Sequence, residues 1–387
     1  MTDPAELLRC FAPQEDGMPP MIALRFSWLE TLADSSDGRM PPRRQDVPEE
    51  AILPFETLEK LPRSATGTLP LVACSHMWVH AAQPDPTGNQ LQALVESIRK
   101  ARERDPSFPS EVGVVYDSAS LFQIPRSGPE DRVFRRALSM LNTLYTHQKT
   151  MVMVIDVPLP PSLELDESNK RILTFHERAW PFLELSLRLL VAPSHASPLC
   201  AWPSTLYAGS AQPPRPPPLS LADFDCLAAD KHFTSYNDRD SYKLAAQSAQ
   251  LSSVYATIAH DAFASVDSID YSNLGWDAKA IDGLLAGALL RPAVKLVSID
   301  LSRNPIGAAG VALLAHALQD RTFLPALAVI DLQQCLVGST RGSSTDVGEQ
   351  VGDDGEALSI STNQEVQQAR EMLEHIAHTR SIRTIFE

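Results

Sequence analysis

The sequence predicts an α/β protein: a parallel sheet flanked by helices, then a short solenoid of strand and helix repeats with a helical cap. Three observations carry this. Between about Leu69 and Val191, short apolar strand patterns alternate with amphipathic helical patterns; from Ile269 onward one pattern recurs; and a Pro-rich stretch separates the two. The expected organisation is a partly ordered lead-in over 1–65, the sheet domain over 66–191, a Pro-rich linker over 192–220, a helical cap over 221–265, and repeats over 266–387.

In the lead-in, "FSWLETLADS" and "PEEAILPFETLEKL" read as helices, but Pro4, Pro13, Pro19, Pro20, Pro41 and Pro42 break the region up. "LPLVACS" is a buried strand ending at Ser75. The next segment, "NQLQALVESIRKARER", places Leu91, Leu94, Val95 and Ile98 on one helical face. "EVGVVYDSAS" is a second strand ending at Asp117, "EDRVFRRALSMLNTLYTH" a helix, "TMVMVID" a third strand, and "FHERAWPFLELSLRLLV" a further helix. Strands joined through single helices run parallel, and function gathers at their C-terminal edge. That edge holds Ser75 and His76, Asp117 to Ser120, and the residues from Asp156 on. The linker carries eight prolines in 29 residues and reads as a stiff polyproline spacer.

The repeats are "IDYSNLG" from Ile269, "IDLSRNPIG" from Ile299 and "IDLQQCLVG" from Ile330, at intervals of 30 and 31 residues. Between them, Val311, Leu314, Ala315 and Leu318 form one helical stripe. The stretch "LVSIDLSRNPIGAAGVALLAHAL" resembles the leucine-rich repeat of the ribonuclease-inhibitor type. Asn304 sits where a turn needs its backbone satisfied, Cys335 takes the equivalent place one repeat on, and Asn273 falls one residue earlier. A fourth strand is expected at "SIRTIF", after the helix "EVQQAREMLEHIAH", with an acidic loop over 339–357. The resemblance implies a protein partner held on the strand face.

Composition narrows the function. A chain of 387 residues with 44% apolar residues furnishes more than one core, and its net charge of −15, without a basic stripe, disfavours nucleic acid. No basic leader or membrane-length apolar run is present, so a soluble cytoplasmic protein without membrane contact is expected. Five scattered cysteines without CxxC fit free thiols. GxxxxGK[ST], GxGxxG after a strand and GxSxG are all absent. His76 and His80 are four apart but lack the Glu of a metalloprotease helix, so no metal is expected. Arg135 and Arg136 have Glu130 and Asp131 one turn earlier as ion-pair partners.

The strand ending in Ser75, the strand "VVYDSASL" reaching Asp117, and a helix with Trp180 followed by Glu184-Leu185 together resemble a Toll/interleukin-1-receptor (TIR) domain, a flavodoxin-like fold. The spacing in "WPFLEL" equals that in the family's "WCLDEL", although Pro181 stands for the Cys and Ala179 for the preceding Ser. The fuller order of elements is similar to that of a set of protist proteins. The resemblance implies either a self-associating signalling module or an NAD nucleosidase that needs no cofactor and takes NAD as substrate. In the second case Glu184 is the catalytic residue, with Ser75, His76, Asp117 and Trp180 ordering the substrate. Against this, helical periodicity groups Phe182, Leu185 and Leu189 on an apolar face and turns Glu184 off it, toward water.

Overall fold

The computed structural model describes residues 3–35, 40–80, 83–159, 163, 171–194, 202–209, 213–233, 241–286, 289–336 and 355–386. They form two compact units, one of residues 1–213 with 223–262, the other of residues 214–222 with 263–387.

The first unit is an α/β sheet protein. Its elements are α1 (Pro4–Leu8), β1 (Ala23–Arg25), α2 (Phe26–Ala33), β2 (Ile52–Leu53), α3 (Phe55–Lys60), β3 (Leu71–His76), α4 (Asn89–Arg104) and β4 (Gly113–Val115). There follow α5 (Asp117–Ser120), α6 (Gly128–Thr146), β5 (Met151–Ile155), α7 (Ala179–Val191), β6 (Thr205–Ala208), α8 (Leu221–Ala228) and α9 (Ser241–Ser265), which ends in the second unit. The strand order is β2-β1-β4-β3-β5-β6. Strands β4, β3, β5 and β6 are mutually parallel, while β1 runs antiparallel to both β2 and β4.

Every residue of β3, β4 and β5 is buried, as expected of a sheet covered on both faces. One face packs Val72, Cys74, Met151 and Met153 against Leu91, Leu94, Val95 and Ile98 of α4 and against Phe26 and Leu29 of α2. On the other side, α7 packs against α6 and β3. Helix α6 starts on a capping box in which Ser127 and Glu130 satisfy each other's backbone. The chain leaves β3 toward β4 on one side and returns to β5 on the other. The strand order therefore reverses beside β3, and a crevice opens at its C-terminal end.

Three expectations need correction. The lead-in over 1–65 is built into the fold: β1 and β2 extend the sheet, and Leu24, Phe26, Leu29 and Leu53 are buried. Its strands are two and three residues long, too short to show a period. Ile52 and Leu53 form one of these strands rather than part of a helix. The linker over 192–220 contains β6, paired with β5 from Val152↔Thr205 to Ile155↔Ala208. Arg188 fixes it from α7, donating to the Ser204 carbonyl at 2.6 Å, the His147 carbonyl at 3.0 Å and the Thr205 hydroxyl at 3.3 Å. Gly209, at φ +89, ends the strand where a Cβ would meet the Asp156 carbonyl at 2.7 Å, so the chain can turn there only through glycine. Finally, residues 223–262 of the expected helical cap belong to the sheet unit, because Phe224 is buried between Tyr255, stacked at 3.9 Å, and Phe182 at 4.9 Å.

The second unit has β7 (Ser268–Asp270), α10 (Ala278–Ala286), β8 (Ser298–Asp300), α11 (Gly307–Gln319), β9 (Val329–Asp331), α12 (Gly355–Thr379) and β10 (Arg383–Ile385). The four strands are parallel in the order β10-β9-β8-β7, with Ile269, Ile299 and Ile330 in register. After the first three strands the chain turns through a positive φ, at Asn273 (51°), Arg303 (59°) and Gln334 (58°). Asn304 is fully buried. Its side chain accepts from the Leu274 and Trp276 backbone N–H groups at 2.8 and 3.1 Å and donates to the Tyr271 and Leu301 carbonyls at 2.7 and 2.8 Å. Cys335 serves the same turn more weakly, its thiol donating to the Leu301 carbonyl at 3.0 Å. Asn304→Ala removes four hydrogen bonds to the backbone at once and is expected to lower this unit's stability by about 2–3 kcal/mol in denaturant titration. The Pro-rich run also joins this unit, since Trp276 donates its indole N–H to the Arg215 carbonyl at 2.8 Å. The expected acidic loop lies outside the described residues as far as residue 354.

Candidate functional site

The helix that carries "WPFLEL" is buried nearly all round. Leu183, Leu187 and Leu190 turn inward together with Glu184, while Phe182 and Leu185 are only partly covered. Glu184 is 8% exposed. The expected solvated position is thereby corrected: the inward face is set by β3 and α6, against which this helix packs, and a single-helix wheel contains neither.

Glu184 lines a cavity of about 630 Å³ in the crevice beyond β3. His76, Trp78, Asp117 and Trp180 share its wall; Phe134, Leu138 and Leu141 of α6 supply apolar lining. Four of the five sequence-predicted site residues thus meet in one cavity. Ser75 lies behind it: its side chain is fully buried, sits next to Glu184, and makes no hydrogen bond of good geometry among the described residues. His80 stands apart in a turn, and no cluster of metal-binding side chains occurs among the described residues. Arg135 pairs with Asp131 as anticipated, whereas Arg136 reaches Asp16 at 2.7 Å rather than its own helix.

The floor is a connected polar array. His76 Nε2 lies 2.7 Å from Asp117 Oδ1, and His76 Nδ1 lies 3.2 Å from Gln90 Oε1. The Trp78 indole N–H bridges both Asp117 oxygens at 3.1 and 2.9 Å, and the Ser118 N–H reaches Oδ1 at 2.6 Å. The His76 ring stacks on Tyr116 with centroids 4.1 Å apart. Burial opposes charge on this imidazole, yet the Asp117 carboxylate, helped by Glu184 and Asp85, raises its pKa above the ordinary value. Burial also lifts the Glu184 carboxyl to about 8. Ser75 opposes that rise, Asp117 adds to it, and His76 and Tyr145 pull it down. An empty site at neutral pH therefore holds Glu184 mainly protonated, facing an apolar space.

Further wall residues escape sequence reasoning. Trp78 holds Asp117 through its indole N–H. Arg178 and Gln123 also line the space, as do His232 and Phe233 from the segment after α8. That segment bridges in parallel to Arg178: the Ala179 N–H donates to the His232 carbonyl at 2.9 Å, and the His232 N–H to the Glu177 carbonyl at 3.0 Å. Phe233 meets Trp180 edge to face at 5.7 Å. Trp180 stays 47% exposed at the mouth, as suits a residue that meets a ligand. No local pattern announces His232 or Phe233, which lie about fifty positions beyond the helix they contact.

No protein-family model matches the chain, and no curated protein matches it. The geometry itself defines an α/β unit with a mixed, mainly parallel sheet and a small-molecule-sized cavity at its topological switch point, lined by aromatic side chains and by both acidic and basic groups.

Proposed function

We propose that the α/β unit is a TIR-like NAD nucleosidase, hydrolysing NAD to nicotinamide and ADP-ribose with Glu184 as the catalytic carboxylate. The observation that carries this reading is the Glu184 carboxyl, buried and turned into a cavity walled by Trp78, Trp180 and Phe233. The scissile bond joins C1′ of the ribose to the positively charged pyridinium nitrogen. As it breaks, its electron pair neutralises nicotinamide and positive charge spreads over C1′ and the ring oxygen. Water then adds to C1′ and loses a proton. A carboxylate beside C1′ stabilises that developing charge strongly in a water-poor site. Entry of the cationic base favours loss of the Glu184 proton, so the carboxylate forms where and when it is needed. The aromatic side chains stack with the flat base, and Asp117 accepts from sugar hydroxyls.

Purified chain incubated with NAD is expected to release nicotinamide. No release at high protein concentration, with or without a crowding agent, overturns the reading.

A second reading concerns the other unit. We read it as leucine-rich repeats that bind a protein partner along the strand edges, with the TIR-like unit signalling by self-association. Its support is the row Asp270, Asp300 and Asp331, in register on adjacent strands; each uses one carboxylate oxygen to accept from the backbone N–H two residues on. Such a row fits a basic segment of a partner. A partner retained after Asp270, Asp300 and Asp331 are all changed to asparagine would place binding elsewhere.

None of the described helices is long and apolar enough to cross a membrane.

A further inference from the structure

We propose that His76 is a positioning residue held as an imidazolium between two fixed acceptors, Gln90 and Asp117, and that its charge cancels that of Asp117, leaving Glu184 as the one acid at the cavity free to change charge.

The argument rests on hydrogen-bond direction. The Gln90 side-chain N–H₂ donates to the Met77 carbonyl at 3.0 Å and the Pro84 carbonyl at 3.1 Å. This fixes the amide orientation, so the oxygen is the atom that faces His76 Nδ1, which must carry a proton. On the far side, the other polar atoms meeting the Asp117 carboxyl are N–H donors, from Trp78 and Ser118. Two N–H groups already make three contacts with the Asp117 carboxyl, the pattern of an ionised carboxylate, and that reading puts the proton of its 2.7 Å contact on His76 Nε2 as well. A ring with protons on both nitrogens is charged. It is also clamped: α4 holds one edge, α5 the other, and Tyr116 covers a face.

Among the titratable groups facing the ring from each neighbouring element, Asp117 is the one in hydrogen-bond contact, and none is a base. They are Asp117 on α5, Glu184 on α7 and Asp85 before α4, all acids, together with the Tyr116 ring. The His76 ring is almost wholly shielded from solvent and already has a partner at both nitrogens, so it does not reach a ligand. Its effect passes through Asp117 and Glu184. With Asp117 and His76 summing to zero, a further charge on the wall is the Arg178 guanidinium, and a cation entering the cavity favours loss of the one proton on Glu184. Without the imidazolium, the Asp117 charge would hold that proton in place.

The functional half of this proposal rests on the nucleosidase reading; the protonation half does not. The deciding measurement is therefore made on the intact chain without substrate: nitrogen-15 NMR of the histidine rings at pH 7 to 8. Both His76 nitrogens are expected at imidazolium positions, and Asp117→Asn is expected to return the ring to the neutral form in that range. A neutral His76 ring in the native chain at pH 7 overturns the proposal. In His76→Gln, carbon-13 titration of the Glu184 carboxyl is expected to move to higher pH, and with NAD the pH midpoint of cleavage is expected to move the same way. A uniform loss of rate with the midpoint unmoved, or an unmoved carboxyl titration, would reduce His76 to packing and overturn the positioning role. Absence of NAD cleavage in the native chain sinks the nucleosidase reading alone, since both NMR results still decide the charge of His76.

Discussion

Glu184→Gln is expected to abolish NAD cleavage, by roughly 10³-fold or more, while making the protein more stable at alkaline pH. The two effects share one cause. Burial lifts this carboxyl from its ordinary 4.5 to about 8, so the folded state keeps a proton that the unfolded state releases. The fold carries no penalty from Glu184 below pH 4.5; the penalty grows as pH climbs toward about 8 and is then constant. Its full size is on the order of 4 kcal/mol, and a neutral glutamine of the same shape does not incur it. Denaturant midpoints of the two proteins should coincide near pH 4 and diverge by pH 8, with the variant higher. Native cleavage should rise with pH through the same range, as the carboxylate form accumulates. A variant less stable than the native chain at pH 8 would mean that Glu184 is solvated.

Arg188→Ala should destabilise the sheet unit by about 3–5 kcal/mol, the largest loss expected of a residue outside the cavity. The side chain is 1% exposed and spans from α7 to the strand beneath. Its removal leaves the Ser204 and His147 carbonyls facing a void. Hydrogen exchange localises the damage: the Val152 and Asp156 amides, bonded to the Ser204 and Ala208 carbonyls, should lose protection before Leu91 or Leu94 does. Arg188→Lys restores one donor group and should recover part of the loss.

The sequence was most legible where one element carries its own signal. Strand β5 is an unbroken apolar run, β3 is apolar as far as Cys74, and α4 buries the four residues that its periodicity groups together. The repeats were legible for the same reason, as the strand register follows the 30- and 31-residue intervals. Legibility failed where the deciding partner is distant. Strand β6 is four residues amid prolines, and what makes it a strand is the exposed edge of β5 and the donors of Arg188. Glu184 was pointed out by the spacing of Trp180 and Glu184, yet its burial was not, because the helix wheel knows nothing of Ser75 on β3 or Tyr145 on α6. The pairing of His76 with Asp117 joins the end of β3 to the start of α5, 41 positions apart, which no local pattern encodes.

The parallel bridge between Arg178 and His232 bears on how this protein can be taken apart. A boundary drawn at the Pro-rich run, the natural place by composition, amputates part of the cavity wall: Phe233 leaves Trp180, and Phe224 uncovers Phe182. A fragment ending near residue 220 should therefore expose apolar surface and bind the dye ANS, whereas one carried past Ser265 keeps the wall and the aromatic stack. The smallest piece that can hold a ligand is longer than the sheet, and its last contribution to the site is made after the chain has already passed the prolines.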